Sequence, residues 1–286
     1  MKSIRVILVI FLAALTSCEK LNLPDETTDS PKGNLTLTIY QIEQMPFTST
    51  RAVASDICTR INFLVYDEEG KRIQNIIQKV GDSDFGTTTI QLDPGNYRIV
   101  ALAHSSSGNP TSTNPAQIKF TNATGYTDTF FYSESITIDD EHLTLSLTLK
   151  RIVALCRFII NDAIPTSVAE LEFEYTGGSG AFDAATGLGS VKSTQKMTFL
   201  NPQGQKEFDL YTFLHDFTGT IKLKVTATDN SANVIQQREF DIPLQQNQIT
   251  RFTGTFFSGE SDPTSRSASL SVTLNTKWNG ENTINY

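Results

Sequence analysis

The residues from which catalysis or ligand binding would be built are sparse in this chain: three His, three Cys and one glycine-dense run. His104, His142 and His215 stand far apart, outside any His-Glu-x-x-His pattern and without Cys or carboxylate partners at metal-ligand spacing. No metal centre is expected, and the three rings are assigned to the surface or to strand edges. Gly177-Gly178-Ser179-Gly180 has the glycine content of a phosphate loop. It lacks the Lys-Ser/Thr that would follow and a helix whose N-terminal amides would receive the phosphate, so it reads as a loop between strands. No Gly-x-Ser-x-Gly nucleophile elbow occurs. Cys58 and Cys156 fall in different strand groups; two free thiols are expected, Cys156 behaving as a small hydrophobe. The expectation is a chain that is not an enzyme and takes no cofactor, with carboxylates paired only in space left open.

Cys18 differs from the other two. Lys2 and Arg5, the apolar run Val6 to Leu15 and then Thr16-Ser17-Cys18 have the layout of a secretory signal over residues 1–17. The apolar run is about half the ~20 residues needed to cross a bilayer as a helix. Leu15-Thr16-Ser17-Cys18 resembles the lipobox of bacterial lipoproteins, in which the Cys thiol is diacylated and, after cleavage, the new amine is acylated. Several acyl chains at about 0.8 kcal/mol per buried methylene give stable anchoring where a single chain does not. Residues 18–33, polar, acidic and Pro-bearing, read as a solvated tether.

A second covalent event is suggested by Arg51-Ala52, a candidate trypsin-like cleavage point in the loop Ile42 to Ile57; an ordinary loop Arg is the alternative. The wider composition fits a surface protein. Of 286 residues only 19% are charged, and the formal net charge is −8. Without Lys2 and Arg5 the balance is 21 basic against 31 acidic residues, a net of −10 that excludes a phosphate-binding field, so nucleic acid is not a partner.

The elements that must carry these residues are strands. From residue 34 onward the apolar pattern has period two, which makes the fold class all-β. Leu35, Leu37 and Ile39 share a face, as do Ile61, Phe63 and Val65. Thr87 to Leu92 and Tyr97 to Ala103 are expected to form a hairpin through Asp93-Pro94-Gly95-Asn96. Ser105 to Thr127 reads as a long surface insertion with at most a short helix near Ala116 to Phe120. Leu143, Leu145, Leu147 and Leu149 close a first domain, 34–149. The second, 150–286, opens with Ile152 to Ile160, apolar on both faces as a central strand requires. Leu171, Phe173 and Tyr175 alternate there with Glu170, Glu172 and Glu174. Pro243 should block a ladder just after Asn233 to Asp241. After a flexible break, Ala268 to Trp278 forms a terminal strand that closes its own sheet or completes another molecule's. Trp278, the only Trp, is assigned to core or interface.

The lipobox Cys18, the acidic tether, the serial β-units and Leu149-Lys150-Arg151-Ile152-Val153-Ala154 opening the second unit together resemble the fimbrial lipoproteins of Bacteroidota, of the FimB-type anchor and fimbrillin-like kinds. Arg60-Ile61-Asn62-Phe63-Leu64-Val65-Tyr66-Asp67, Ile99-Val100-Ala101-Leu102-Ala103-His104-Ser105 and Tyr175-Thr176-Gly177-Gly178-Ser179-Gly180-Ala181-Phe182 carry the same likeness. The resemblance implies two tandem transthyretin-like Greek-key β-sandwich domains. It also implies a non-enzymatic fimbrial (pilus) subunit or anchor, held at the cell outer membrane through its N-terminal lipid, with other fimbrial subunits as partners. In polymerising members an Arg-specific protease removes the lipidated peptide and first strand, and a strand from the next subunit fills the groove. A cut at Arg51 would match that scheme, whereas anchor members are similar but keep lipid and strand. Two rivals stay open: a surface glycan-binding lipoprotein, which would need clustered exposed aromatics, and a β-sandwich hydrolase, which would need converging carboxylates or a metal.

Overall fold

The computed structural model describes residues 33–43, 54–258, 271–273 and 281–286. In chain order its elements are β1 (Leu35–Ile42), α1 (Ala54–Ile57), β2 (Arg60–Tyr66), β3 (Arg72–Lys79), β4 (Thr87–Ile90), β5 (Gly95–His104), β6 (Ile118–Lys119), β7 (Thr129–Ile138) and β8 (Leu143–Arg151). There follow β9 (Ala154–Ile160), β10 (Glu170–Thr176), β11 (Ala181–Phe182), β12 (Gln195–Leu200), β13 (Glu207–Thr212), β14 (Thr218–Thr228), β15 (Val234–Gln245), β16 (Ile249–Gly254), β17 (Ser271–Thr273) and β18 (Glu281–Asn285). The chain is all-β, as its period-two pattern requires.

The first half forms a seven-stranded sheet in the order β3-β2-β5-β7-β8-β1-β4. Alternation places Ile61, Phe63 and Val65 of β2 and Ile99, Ala101 and Ala103 of β5 in one core with Leu35 and Leu37 of β1 and Leu147 and Leu149 of β8. The second half has two sheets, β12-β10-β14-β15 and β13-β9-β16-β18-β17. Leu171, Phe173 and Tyr175 of β10 face Phe158 of β9 and Phe208 of β13 across its core, while Glu172 and Glu174 form ion pairs with Lys196 on the outer face. One connection recurs. In the first half β1 pairs in parallel with the last strand, β8, and in the second β9 pairs in parallel with β16.

Several expectations fail in instructive ways. Thr87 to Leu92 and Tyr97 to Ala103 both carry strands, but they are not a hairpin: β4 pairs with β1, and β5 with β2 and β7. The Pro94-Gly95 segment therefore carries the chain from one arm of the sheet to the other. Pro243 does not end its ladder; it sits inside β15 opposite Thr220. β15 is an edge strand, where a missing N–H leaves no ladder partner unmet. His104 is fully buried instead of lying at the surface. The Ser105 to Thr127 segment, expected as a surface loop, instead carries β6, which pairs with β11 of the second half. Cys58 and Cys156 are free and buried, as expected. Of the terminal strand expected over Ala268 to Trp278, Ser271–Thr273 forms a strand antiparallel to β18, while Trp278 lies outside the described residues.

Candidate functional site

Strand β1 is the first strand of the described residues. Its Leu-Thr-Leu-Thr-Ile alternation sends Leu35 and Leu37 into the core, where neither is exposed at all, and Ile42 is 5% exposed. The strand is bonded on both sides over its first half. Leu35 to Thr38 pair antiparallel with Ile90 to Thr87, and Leu35 to Ile39 pair in parallel with Leu143 to Leu147. The Ile39 N–H then donates to Gly86 O at 2.8 Å and the Glu43 N–H to Leu149 O at 2.8 Å. A register shift between Ile39 and Gln41 leaves Tyr40 turned outward and 53% exposed.

The root of β1, where the tether would enter, is stapled by side chains. The Asn34 amide donates to Leu92 O at 2.9 Å and accepts from the Leu92 N–H at 3.0 Å, extending the ladder by one side-chain rung. Across the other flank, His142 Nδ1 contacts Gly33 O at 3.1 Å and Nε2 contacts Thr36 Oγ1 at 3.0 Å. The carbonyl can only accept, so the proton sits on Nδ1 and, in the neutral ring, Nε2 accepts from the threonine hydroxyl. Gly33 is needed for close approach, because a Cβ there would lie 2.5 Å from Ile90 O. Nothing in the spacing of Asn34 or His142 marked them; their partners are distant in sequence.

The other end of the chain is seated with equal care. β18 pairs in parallel with β16, and Ile284 is buried. The Tyr286 ring stacks on Phe252 at 4.7 Å and on Phe158 at 4.9 Å, and its hydroxyl donates to Ile159 O at 2.9 Å. Gly254 permits this, since a Cβ there would meet Tyr286 O at 2.1 Å. Asp162 fixes the root of the C-terminal segment. Burial opposes its ionisation, but its oxygens accept from the backbone N–H groups of Phe256, Phe257 and Ser258 at 2.7–2.8 Å, and these hold its carboxyl below the usual range.

The buried titratable groups are structural in their geometry. His104 Nε2 lies 3.0 Å from Asn62 Oδ1, and its Nδ1 accepts from the Ser106 N–H at 3.2 Å. Burial, reinforced by the Arg60 charge, lowers its pKa to about 4, so it is a neutral ring at physiological pH. Burial pushes the Cys58 thiol up to about 12 and the Cys156 thiol higher still, far from the thiolate a nucleophile needs. Among the described residues no group of three His, Cys, Asp or Glu side chains is placed to hold a metal ion. A cleft of about 390 Å³ between β14, β15 and β18 is lined by Thr218, Pro243, Leu244, Asn282 and Ile284 among others, with no ionisable side chain among the described lining residues. Cys18, Arg51 and Ala52 lie outside the described residues.

The family model of the fimbrillin-A associated anchor proteins Mfa1 and Mfa2 matches residues 26–283. Among solved structures, a candidate adhesin from Bacteroides ovatus aligns with 80% of this chain and 88% of its own at 17% identity and a TM-score of 0.49. The fimbrial anchor protein Mfa2 from Porphyromonas gingivalis aligns with 71% of this chain and 80% of its own at 14% identity and a TM-score of 0.41. A fimbrial assembly protein from Parabacteroides distasonis covers 87% and 97% of the two chains at 13% identity and a TM-score of 0.40. No curated protein sequence matches the chain significantly.

Proposed function

The chain belongs to the family of fimbrillin-A associated anchor proteins, and on that premise we propose that it is a lipid-anchored, non-enzymatic component of a cell-surface fimbrium that joins other subunits by β-strand addition. The observation that carries this reading is β1, a strand continuous with the candidate lipid tether that fills a groove between β4 and β8 with Leu35 and Leu37 fully buried. The acyl groups belong on Cys18, with residues 18–33 as the tether and the outer membrane as the surface they enter.

How β1 is held supports the anchoring role. Bonded on both flanks and stapled by Asn34 and His142, it resists loss in a way that suits a subunit keeping its first strand. Arg51-Ala52 is the bond that would change this fate. It lies between β1 and α1, so a cut there would free residues 18–51 to leave together, opening Ile90, Leu147 and Leu149 to an incoming strand. The parallel pairing of each half's opening strand with a later strand, β1 with β8 and β9 with β16, favours a division into 34–149 and 150–286, each a β-sandwich of related connectivity.

Growth of the source cells with a clickable fatty acid tests the anchor. The wild-type chain should take up label and sediment with membranes, and Cys18→Ser should lose both properties. Label retained by Cys18→Ser would refute the assignment.

A further inference from the structure

We infer that segment 105–127 is a strap that locks the two halves of the body into one cooperative, mechanically continuous unit. The direct link between the halves is short and buried: only Ile152 and Val153 separate β8 from β9, at 4% and 1% exposure. A third core forms around that link, distinct from the cores inside each half. It joins Leu64, Tyr66 and Leu102 of the first half to Leu155, Phe182 and Phe213 of the second.

The strap leaves the first half after His104 and re-enters it at β7. On the way its β6 pairs with β11, Ile118 opposite Phe182 and Lys119 opposite Ala181. The Phe120 N–H donates to Gly180 O at 2.9 Å, and the Ala184 N–H donates back to Pro115 O at 2.8 Å. Further along, Asn122 Oδ1 accepts from the Lys196 N–H at 2.9 Å. Phe120, 1% exposed, is the plug: its ring lies edge-on to His104 of β5 at 5.0 Å and stacked on Phe213 of the second half at 6.0 Å. The glycine-dense run is the matching socket. A Cβ at Gly180 would lie 2.8 Å from Tyr126 Oη, so the absence of a side chain lets the strap lie against the loop.

The strap's base is fixed on the first half, where Tyr66 Oη donates to Ser112 O at 2.7 Å and Arg72 Nη1 to Ser112 Oγ at 2.6 Å. Its exit is bolted by Arg151, which is 6% exposed and makes a bidentate pair with Asp128 at 2.7 and 2.8 Å. The same guanidinium reaches Asn247 Oδ1 of the second half at 3.2 Å and covers the Phe130 ring at 4.6 Å. The Asn247 N–H donates to Val153 O at 2.9 Å and Gln246 Nε2 to Ile152 O at 3.0 Å, so both linker carbonyls are held from the second half. A link satisfied in this way has no free backbone about which to hinge. In an anchor, a role that rests on the function proposed above, tension between lipid and fibre would cross this joint without bending it.

The test is unfolding of the full mature chain, followed by calorimetry and by hydrogen exchange read separately on β2/β5 and β10/β14 peptides in graded urea. The wild type should give one transition with calorimetric and van't Hoff enthalpies equal and the same urea midpoint for both sets of peptides. Phe120→Ala should separate the two halves into transitions about 5 °C or more apart. The double variant Arg151→Met/Asp128→Asn, which removes both charges of the pair together, should also move the midpoints apart and covers the case in which Phe120→Ala does not fold. Two resolved transitions in the wild type, or coincident midpoints in the variants, would overturn the strap while leaving the fimbrial assignment untouched.

Discussion

Shortening Leu37 to Ala tests how firmly β1 is built into its groove. The side chain is fully buried, with Leu145 beside it on β8 and Thr88 opposite on β4. Losing three buried carbons at about 0.8 kcal/mol each gives roughly 2.4 kcal/mol, and the residual cavity raises Leu→Ala costs into the range of about 2–5 kcal/mol. A value near 3 kcal/mol is expected, because neighbours bonded on both flanks cannot collapse freely into the space. Tyr40→Ala is the matched control: it lies on the same strand but outward and 53% exposed, so its cost should fall well below that of Leu37→Ala. Urea unfolding should show the Leu37→Ala midpoint reduced with an unchanged slope. A second readout uses an Arg-specific protease to nick the chain after Arg51 and native mass spectrometry to follow the β1 peptide. Wild-type protein should keep the peptide bound. Leu37→Ala should release it roughly 100-fold faster, since 1.4 kcal/mol is a factor of ten. A Leu37→Ala cost no larger than that of Tyr40→Ala, or wild-type peptide lost as fast as it is cut, would refute the seating of β1.

Two further outcomes follow from the buried groups. Burial lowers the His104 pKa to about 4 in the fold from the ordinary 6.5, so the folded state favours the neutral ring; its contribution is fully present above pH 6.5 and is lost as pH falls towards 4. The loss is about 3 kcal/mol, and His104→Gln should flatten that part of a stability profile measured between pH 7 and 4; parallel profiles for the two proteins would contradict the burial argument. Gly254→Ala places a Cβ against Tyr286 O and should unseat the C-terminal strand, seen as loss of amide protection in residues 281–286, at a cost of about 2–3 kcal/mol of aromatic burial. Unchanged protection there would show that Tyr286 is not the plug of its core.

Local alternation carried most of the fold. Leu171, Phe173 and Tyr175 against Glu170, Glu172 and Glu174 specified a one-sided strand, and the apolar pattern on both faces of Ile152 to Ile160 specified a central one; both occur. Pairing partners were less legible, because period two fixes which face a residue takes and says nothing of which strand lies alongside. A Pro-Gly turn between two strands suggested β4 with β5, yet β4 is claimed by β1, a strand more than 40 residues earlier in sequence. His104 and the strap are opaque for a related reason. A His beside Ser105-Ser106-Ser107 and a segment rich in Ser, Asn and Pro look solvated until Phe120 of the strap covers the ring and Phe213 and Phe182 of the second half cover the strap. Pro243 fits within β15 because the rule against proline in a ladder depends on whether the strand is an edge, which local sequence does not show. The stapling residues Asn34 and His142 carry no signature at all, since an amide or an imidazole becomes a latch only through partners such as Leu92 and Gly33, far away in the chain.

The account rests on a first strand that stays in place at the end of a lipidated tether. Mass spectrometry of the protein's N-terminus, taken from intact fimbriae on cells, tests it directly. The expected species begins at an acylated Cys18 and continues unbroken through Arg51 into β2. A mature chain beginning at Ala52, with β1 absent from the assembled fibre, would contradict it.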